Sequence, residues 1–431
     1  MRYAAVVALG FLGAAAACDL LNNALEVQNP ASIPASGLEI PANAQLLVNG
    51  AVADFECAAG SYAVMGALIT DEFIDATQTA DRYPYERRVM TSSDARYAVN
   101  SCVGLGVYTP LQTARFSALN VLSLLQGWSD AQVPGRDTLI VTLQAYEGYS
   151  LVLLGEGFCT MVVSTLDANR STVYGSEIPR DSVFKLAVGY FSAAITGAGA
   201  TGQTVVRNMA LVGRARAYAD LDSLDLAKAD AELVSAGFVK NVTASTISTR
   251  RNNRVWQENS ATSDNTTLDS VYTNMADPRV PWSVKLDSKG NPRNSVTGYP
   301  LYQQNKYTAA SSPIRLASRD EARLIIAEAD LAAADFVGAD SIISNFRARG
   351  GQGAITSTDP DTVRAALFDQ RRREFFLEGQ HLGDVIRFGY LPDPPVGTVF
   401  KGGGTYGPAS NHPKDVCLPL PDVEKQNNPN F

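Results

Sequence analysis

Few residues in this chain have the types and the spacing that catalysis or metal binding requires. The sequence contains two histidines, His381 and His412, and neither lies in an HExxH pattern or another metal-ligand spacing. A GxSxG elbow and a papain-type cysteine signature are also absent. The glycines 402–404 lie in a Pro-rich tail, where they indicate a turn and not a phosphate-binding loop. The sequence therefore predicts neither a metal site nor a bound cofactor.

Paired carboxylates are the remaining candidates for catalysis. Asp71 and Glu72 are adjacent, and Asp75 follows one helical turn later. Two carboxyl groups at a suitable separation could hydrolyse a glycosidic bond. Acidic residues at this spacing more often form a solvated face, which is the interpretation that we favour. We therefore predict that the protein is not an enzyme, and we assign no catalytic residue.

The sequence offers more residues suited to ligand binding than to catalysis, because aromatic residues cluster in its polar stretches. A ring with a polar edge suits sugars and extended peptides, and loops on a rigid scaffold commonly carry recognition. Several of these rings must instead pack within their own loops. The tryptophans are the strongest candidates. The candidate ligand-binding residues are Trp256, Trp282, Tyr83, Tyr85, Tyr299 and Tyr302.

Helical periodicity defines the elements that would position these side chains. Between about 240 and 313 this periodicity disappears, which predicts a loop-rich insert with function or small strands of its own. The tail over 391–431 is rich in Gly and Pro, and Asp181 is placed to cap a helix. We predict a mainly α-helical fold. Its predicted helices cover 43–70, 108–128, 137–163, 181–196 and 207–235, and then 318–335, 338–349 and 360–388.

Two stretches match the helical hairpin of tetratricopeptide repeats. In each stretch, small residues lie ten positions apart: Ala217 with Ala227, and Ala329 with Ala339. Small residues at this spacing let two antiparallel helices approach closely around a short turn. The two copies do not follow a 34-residue period. The sequence therefore predicts an interrupted helical-repeat scaffold, over about 43–235 and 318–388, and not a regular array.

The N-terminal residues indicate where the protein is located. Arg2 precedes an apolar run that ends in small residues before Cys18, as in a secretory signal peptide over residues 1–17. This run is shorter than the roughly 20 residues that a membrane-spanning helix needs. The residues before Cys18 resemble a bacterial lipobox, so we predict lipidation of Cys18. The alternative is a soluble periplasmic protein cleaved near Ala17. Residues 18–41 would form the lipidated cysteine and a proline-interrupted tether.

The net charge and the cysteine content argue against further classes of protein. The formal net charge of -8 argues against nucleic-acid binding, which depends on clustered Lys and Arg. Besides Cys18, an even number of cysteines permits two disulfides in three possible connectivities, with buried free thiols as the alternative. No CxxC pair is present, which disfavours a zinc site. These four cysteines are Cys57, Cys102, Cys159 and Cys417.

A charged stretch over residues 371–378 indicates a structural role more than a ligand-binding role. Arg371, Glu374 and Glu378 are three and four positions apart, so they would share one face of a helix. The residues Phe375–Leu377 would face packed neighbours. We predict ion pairs that join helix to helix, and a clamp for a ligand carboxylate or phosphate is the alternative.

Five stretches, in this order, resemble the SusD/RagB family of outer-membrane nutrient-uptake lipoproteins. Each stretch is weak alone, and their order makes the resemblance specific. They are the lipobox, Asp277–Arg279, Pro313–Arg315 with Glu321–Ala329, Phe346–Gly350 with Gln370–Gly379, and Leu418–Pro421 with Glu424 and Asn427–Pro429.

The resemblance implies a fold, a partner and a location. Residues 42–431 would form a single SusD-like domain. Such lipoproteins cap a TonB-dependent β-barrel transporter (SusC-like) as a hinged lid, capture a glycan or peptide, and deliver it to the barrel. The protein would be anchored by lipid to the outer membrane, at the cell surface.

Two other functions remain open from the sequence. One is an envelope assembly scaffold that uses its helical repeats to hold another protein and binds no nutrient. The other is a secreted hydrolase of an unrecognised type.

Overall fold

The computed structural model describes residues 35–390, 393–408 and 416–431. Cys18, the signal-peptide residues and His412 lie outside the described residues. The fold is mainly α-helical, as predicted from the sequence. Its helices are Ala35–Leu38, Ala44–Ile69, Tyr83–Glu86, Ala95–Val99, Tyr108–Gly127, Arg136–Gly157, Arg180–Ala200, Thr204–Asp220, Leu224–Glu232, Arg254–Glu258, Ser270–Thr273, Arg319–Ala332, Phe336–Arg349, Pro360–Glu374, His381–Phe388 and Asp422–Asn427, with 3₁₀ turns at Pro41–Asn43, Cys102–Gly104 and Thr249–Arg251.

The strands are short and pair two by two in antiparallel ladders. The predicted insert contains strands of its own, and one of them pairs with a strand that follows the first long helix. The pairs are Phe73–Asp75 with Thr266–Leu268, Thr160–Val162 with Glu177–Pro179, Thr165–Leu166 with Thr172–Val173, Val239–Val242 with Ile314–Ser318, and Trp282–Val284 with Tyr302–Gln304.

Both predicted helical hairpins are present, and the helical segment predicted over 207–235 divides into the two helices of the first hairpin. Asp222 has a positive φ of 54°, which breaks that stretch into two helices. The small residues do lie at the contacts, because Ala217, Ala227 and Ala339 are fully buried. The hairpins are Thr204–Asp220 with Leu224–Glu232, and Arg319–Ala332 with Phe336–Arg349.

The two hairpins pack against each other although about 90 residues separate them in sequence. Lys228 on the first hairpin forms an ion pair with Asp330 on the second, with Nζ 2.6 Å from Oδ1. The Arg319 guanidinium donates to the carbonyls of Ala231 and Val234, at 2.7 and 3.0 Å, near the end of the first hairpin. A cation at that position satisfies carbonyls that the helix leaves free. The two hairpins therefore belong to one continuous scaffold, and the insert lies between them in the sequence.

The predicted helix over 360–388 is also interrupted. It ends at Glu374 and resumes at His381, so Glu378 does not lie on the same helix as Glu374. Gly379 has a positive φ of 80°, and a Cβ there would lie 3.2 Å from the Cα of Ala63 in the first long helix. Burial of the apolar side chains before this glycine favours the break over a continuous helix.

Two smaller predictions at helix ends were wrong. The helix predicted over 137–163 ends at Gly157, and the chain then forms a strand. Asp181 does not cap its helix, because Pro179 holds the N-cap position and Asp181 lies inside the first turn. A carboxylate there still interacts favourably with the helix dipole. Near the N-terminus, the predicted tether also differs from the structure. Its residues 35–41 contain a short helix and are not wholly irregular.

Two helices are apolar enough to be compared with membrane spans. By length and composition alone, two helices could cross a membrane: Pro41–Ile69 and Arg180–Ala200. In the fold, 78% of the most apolar window of the first helix is buried, and 33% of that of the second. Core helices have the same character, so this is weak evidence for a membrane span. The first of these helices lies in the centre of the hydrophobic core together with Arg136–Gly157.

The four described cysteines form two disulfides, Cys57–Cys102 and Cys159–Cys417. The second holds the C-terminal segment against the end of the Arg136–Gly157 helix, where the Leu418 N–H donates to the Gly157 carbonyl at 2.8 Å. Further along this segment, the Tyr108 hydroxyl donates to Glu424 at 3.0 Å. The C-terminal residues that resemble the family are thus fastened to the N-terminal half.

Candidate ligand-binding surface

The insert is organised around one buried amide. Asn259 is fully buried, and its Nδ2 donates to the carbonyls of Thr266 and Tyr302 at 2.7 and 3.1 Å. Its Oδ1 accepts from the Gln304 N–H at 2.6 Å. These bonds join the short Arg254–Glu258 helix to two strand pairs. The rings of the insert are therefore held by a fixed framework.

Three of the candidate aromatic side chains lie on this framework. Trp282 and Tyr302 are on paired strands, and their rings meet edge to face with centroids 5.2 Å apart. Trp256 lies in the short helix whose N-cap, Asn253, accepts from the Trp256 N–H at 2.8 Å. Each of the three rings packs one side on the core and stays half-exposed. They therefore combine a packing role with surface available to a ligand.

The loop after the first long helix joins the same surface. Arg82 forms an ion pair with Glu258, with Nε 2.7 Å from Oε2, and so connects this loop to the helix of Trp256. Tyr83, the next residue, is half-exposed. Tyr85 is buried instead, and its hydroxyl donates to the Leu105 carbonyl at 2.9 Å. Because its ring is enclosed in the core, Tyr85 is not part of this surface.

Tyr299 is the last of the candidate aromatic residues. It lies at the end of a tight turn in the insert. The turn over 295–299 closes with the Ser295 N–H donating to the Tyr299 carbonyl at 2.8 Å. The half-exposed ring faces Lys401, whose Nζ lies 3.7 Å from the ring centroid. Lys401 was not predicted, since its glycine neighbours indicated only a turn. We define the aromatic surface as Tyr83, Trp256, Trp282, Tyr299 and Tyr302.

The acidic residues near this surface, Asp75 and Glu86, are buried, so the solvated face predicted for Asp75 was wrong. Glu86 accepts from the Asp75 N–H at 2.7 Å and from the Tyr406 hydroxyl at 3.0 Å. Burial raises the pKa of Glu86 to about 8 and also raises the pKa of Asp75. Both groups are hydrogen-bonded inside the fold. They hold the loop against the body of the protein.

Replacing Glu86 with glutamine is expected to remove part of the pH dependence of stability. The folded-state pKa is raised, so the neutral acid stabilises the fold below about pH 4.5, and this contribution falls as the pH rises towards 8. The slope for one such group is roughly 1 kcal/mol per pH unit. Urea unfolding between those pH values would measure it. An unchanged slope in Glu86→Gln would contradict the assignment.

The other predicted carboxylates lie in a separate buried group. Glu72 accepts from the Leu377 N–H at 2.6 Å, and burial raises its pKa to about 7. Asp71 lies 2.7 Å from Nε2 of His381. Among the residues that the structure describes, no group of three or more His, Cys, Asp and Glu side chains could hold a metal ion. These groups join the 375–381 turn to the core.

The charged motifs that carry the family resemblance converge at the base of the insert. Arg315 binds both Glu374 and Glu378, at 3.0 and 2.9 Å. Arg279 reaches Glu374 at 3.3 Å, and Arg371 binds Asp384 at 2.8 Å. Several of these groups line an open cleft of about 580 Å³. The carboxylates are already paired with arginines, which favours the predicted structural role over a ligand clamp.

The fold and the surface together define a class of protein: a helical-repeat scaffold that presents half-exposed aromatic rings on a loop-rich insert. Residues 219–430 match the model of the SusD family. The chain belongs to this SusD/RagB family. A search of curated proteins found no match to this sequence.

Solved structures show the same fold at low sequence identity. A SusD superfamily protein from Bacteroides vulgatus has a TM-score of 0.66 at 15% identity, over 90% of this chain and 97% of that chain. One from Parabacteroides distasonis has a TM-score of 0.67 at 12% identity, over 90% and 98%. Surface glycan-binding protein A from Bacteroides uniformis has a TM-score of 0.63 at 14% identity, over 86% and 92%.

Proposed function

We propose that this protein is a surface lipoprotein of the outer membrane that captures a glycan or a peptide on the aromatic surface. It then delivers the ligand to a TonB-dependent β-barrel transporter, which it covers as a lid. Cys18 carries the lipid anchor in this proposal, and its support is the lipobox-like sequence. The role is capture and not catalysis.

One observation carries the binding proposal: three separate segments of the chain bring half-exposed aromatic rings to one connected framework. The framework is fixed by the buried Asn259 and by the Arg82–Glu258 ion pair. Rings held in this way can bind without a large cost in ordering entropy. A similar fold in a surface glycan-binding protein of Bacteroides uniformis supports a carbohydrate as the ligand.

Substituting Trp282 or Trp256 with alanine is expected to weaken ligand binding about tenfold for each, because each change removes one stacking face. The ligand would first be identified by screening neutral and charged oligosaccharides and peptides against the purified protein. Isothermal titration would then measure the affinities. Tyr174→Ala is the matched control, because Tyr174 is 47% exposed and lies outside the aromatic surface. Equal loss in the control, or no loss at either tryptophan, would contradict the proposal.

A further inference from the structure

A short hairpin near the C-terminus covers one edge of the aromatic surface. This hairpin, over 397–407, closes through the Phe400 N–H, which donates to the Gly404 carbonyl, and the Gly397 N–H, which donates to the Tyr406 carbonyl, both at 2.9 Å. It is fastened to the 76–100 loop, because the Gly407 N–H donates to the Arg87 carbonyl at 2.7 Å. The hairpin is thus positioned by the same loop that carries Tyr83.

Lys401 projects from this hairpin onto the face of Tyr299. Its Nζ lies 3.7 Å from the ring centroid, which is a close cation–π contact. Lys401 is exposed, and it forms no ion pair with any residue that the structure describes. A charged ammonium group therefore sits at the place where a sugar ring would stack.

A second cation lies near this hairpin, although the whole chain carries a net charge of -8. Arg87 lies in the adjoining loop, with its guanidinium 5.5 Å from the Phe400 ring. Two acidic groups, Glu86 and Asp269, also lie near this end of the surface, and burial together with their charges raises the pKa of the Tyr299 hydroxyl. Burial raises the pKa of Glu86 to about 8, which reduces its negative charge near pH 7. The cation in contact with the Tyr299 ring is Lys401, so its ammonium group is the one available to an anionic ligand there.

We propose that the Tyr299 end of the aromatic surface selects glycans that carry carboxylate or sulfate groups, with Lys401 binding the anionic group. This inference rests on the proposed function. A neutral sugar can stack on this face of Tyr299 only by displacing Lys401 into water. An anionic sugar offers the displaced ammonium group an ion pair above the ring, so the two events support each other.

Matched pairs of oligosaccharides test this inference on the purified protein. The pairs are oligogalacturonate with its methyl ester, and a sulfated galactan fragment with its desulfated form. We expect wild type to bind the anionic member of at least one pair about tenfold more tightly, with the preference falling at high salt. Lys401→Gln should lose this preference, and Lys401→Arg should keep it.

Lys185→Gln is the control for the loss of one surface charge, because Lys185 is exposed on the Arg180–Ala200 helix of the scaffold. It should bind as wild type does. Equal affinity for neutral and anionic members, or a preference that survives in Lys401→Gln, would overturn this inference and leave glycan capture standing. Failure of wild type to bind any of these glycans would overturn this inference, and binding of a peptide in that case would leave the capture function standing. Failure to bind both glycans and peptides would overturn the capture function as well.

Discussion

Substituting Arg216 with methionine is expected to lower the free energy of unfolding by about 3–5 kcal/mol, because it leaves a buried carboxylate without a partner. Arg216 and Glu156 form two hydrogen bonds of 2.6 Å, and both side chains are nearly inaccessible to solvent. The pair joins the Arg136–Gly157 helix to the first hairpin. Glu321 of the second hairpin lies 3.9 Å from the same guanidinium. Urea unfolding monitored by circular dichroism would measure the effect.

The double variant Arg216→Met/Glu156→Gln separates a lost charge partner from lost packing. We expect it to recover much of the stability, because it removes both charges together. Arg250→Met is the surface control, since Arg250 is half-exposed in its ion pair with Asp54 and should contribute less than about 1 kcal/mol. Equal losses in Arg216→Met and Arg250→Met would show that burial does not determine the contribution of these pairs.

Removing the disulfide Cys159–Cys417 by a double alanine substitution is expected to lower the free energy of unfolding by about 5 kcal/mol. The bridge closes a loop of 258 residues, and chain-entropy arguments give the larger effect to longer loops. The loss should also release the C-terminal segment, including the Asp422–Asn427 helix, from the N-terminal half. Denaturant unfolding and limited proteolysis would measure the two effects.

The disulfide Cys57–Cys102 provides the matched comparison. It closes 45 residues, so its removal should cost about 4 kcal/mol without exposing the C-terminus to protease. Proteolysis of the C-terminal segment in both double variants alike would contradict the local role of Cys159–Cys417. Unchanged stability in either variant would contradict the entropic account of that bridge.

The helical scaffold could be predicted from the sequence because its signals are local. Periodicity and the alanines ten positions apart identified both hairpins. The break in 360–388 could not be predicted in this way. It depends on left-handed conformations at Leu377 and Gly379 and on the packing of Gly379 against a distant helix. Tertiary packing determines where the helix is interrupted, and the local sequence pattern does not indicate that packing.

The candidate surface was predictable only in part. The sequence identified aromatic residues in polar stretches, but burial of each ring depends on long-range contacts, so Tyr83 could not be distinguished from Tyr85. The same limit applies to Glu72 and Asp75, which are buried and not solvated. Lys401 carried no signal, because its contact with Tyr299 joins residues about 100 positions apart. The pairing of the four cysteines was open for the same reason.

We propose that this protein captures a ligand on behalf of a β-barrel transporter. The most direct test is affinity purification of the tagged full-length protein from detergent-solubilised outer membranes, followed by mass spectrometry of the proteins that accompany it. We expect a near-stoichiometric β-barrel of the TonB-dependent class to accompany the protein. Recovery of the tagged protein without any such barrel would contradict this proposal.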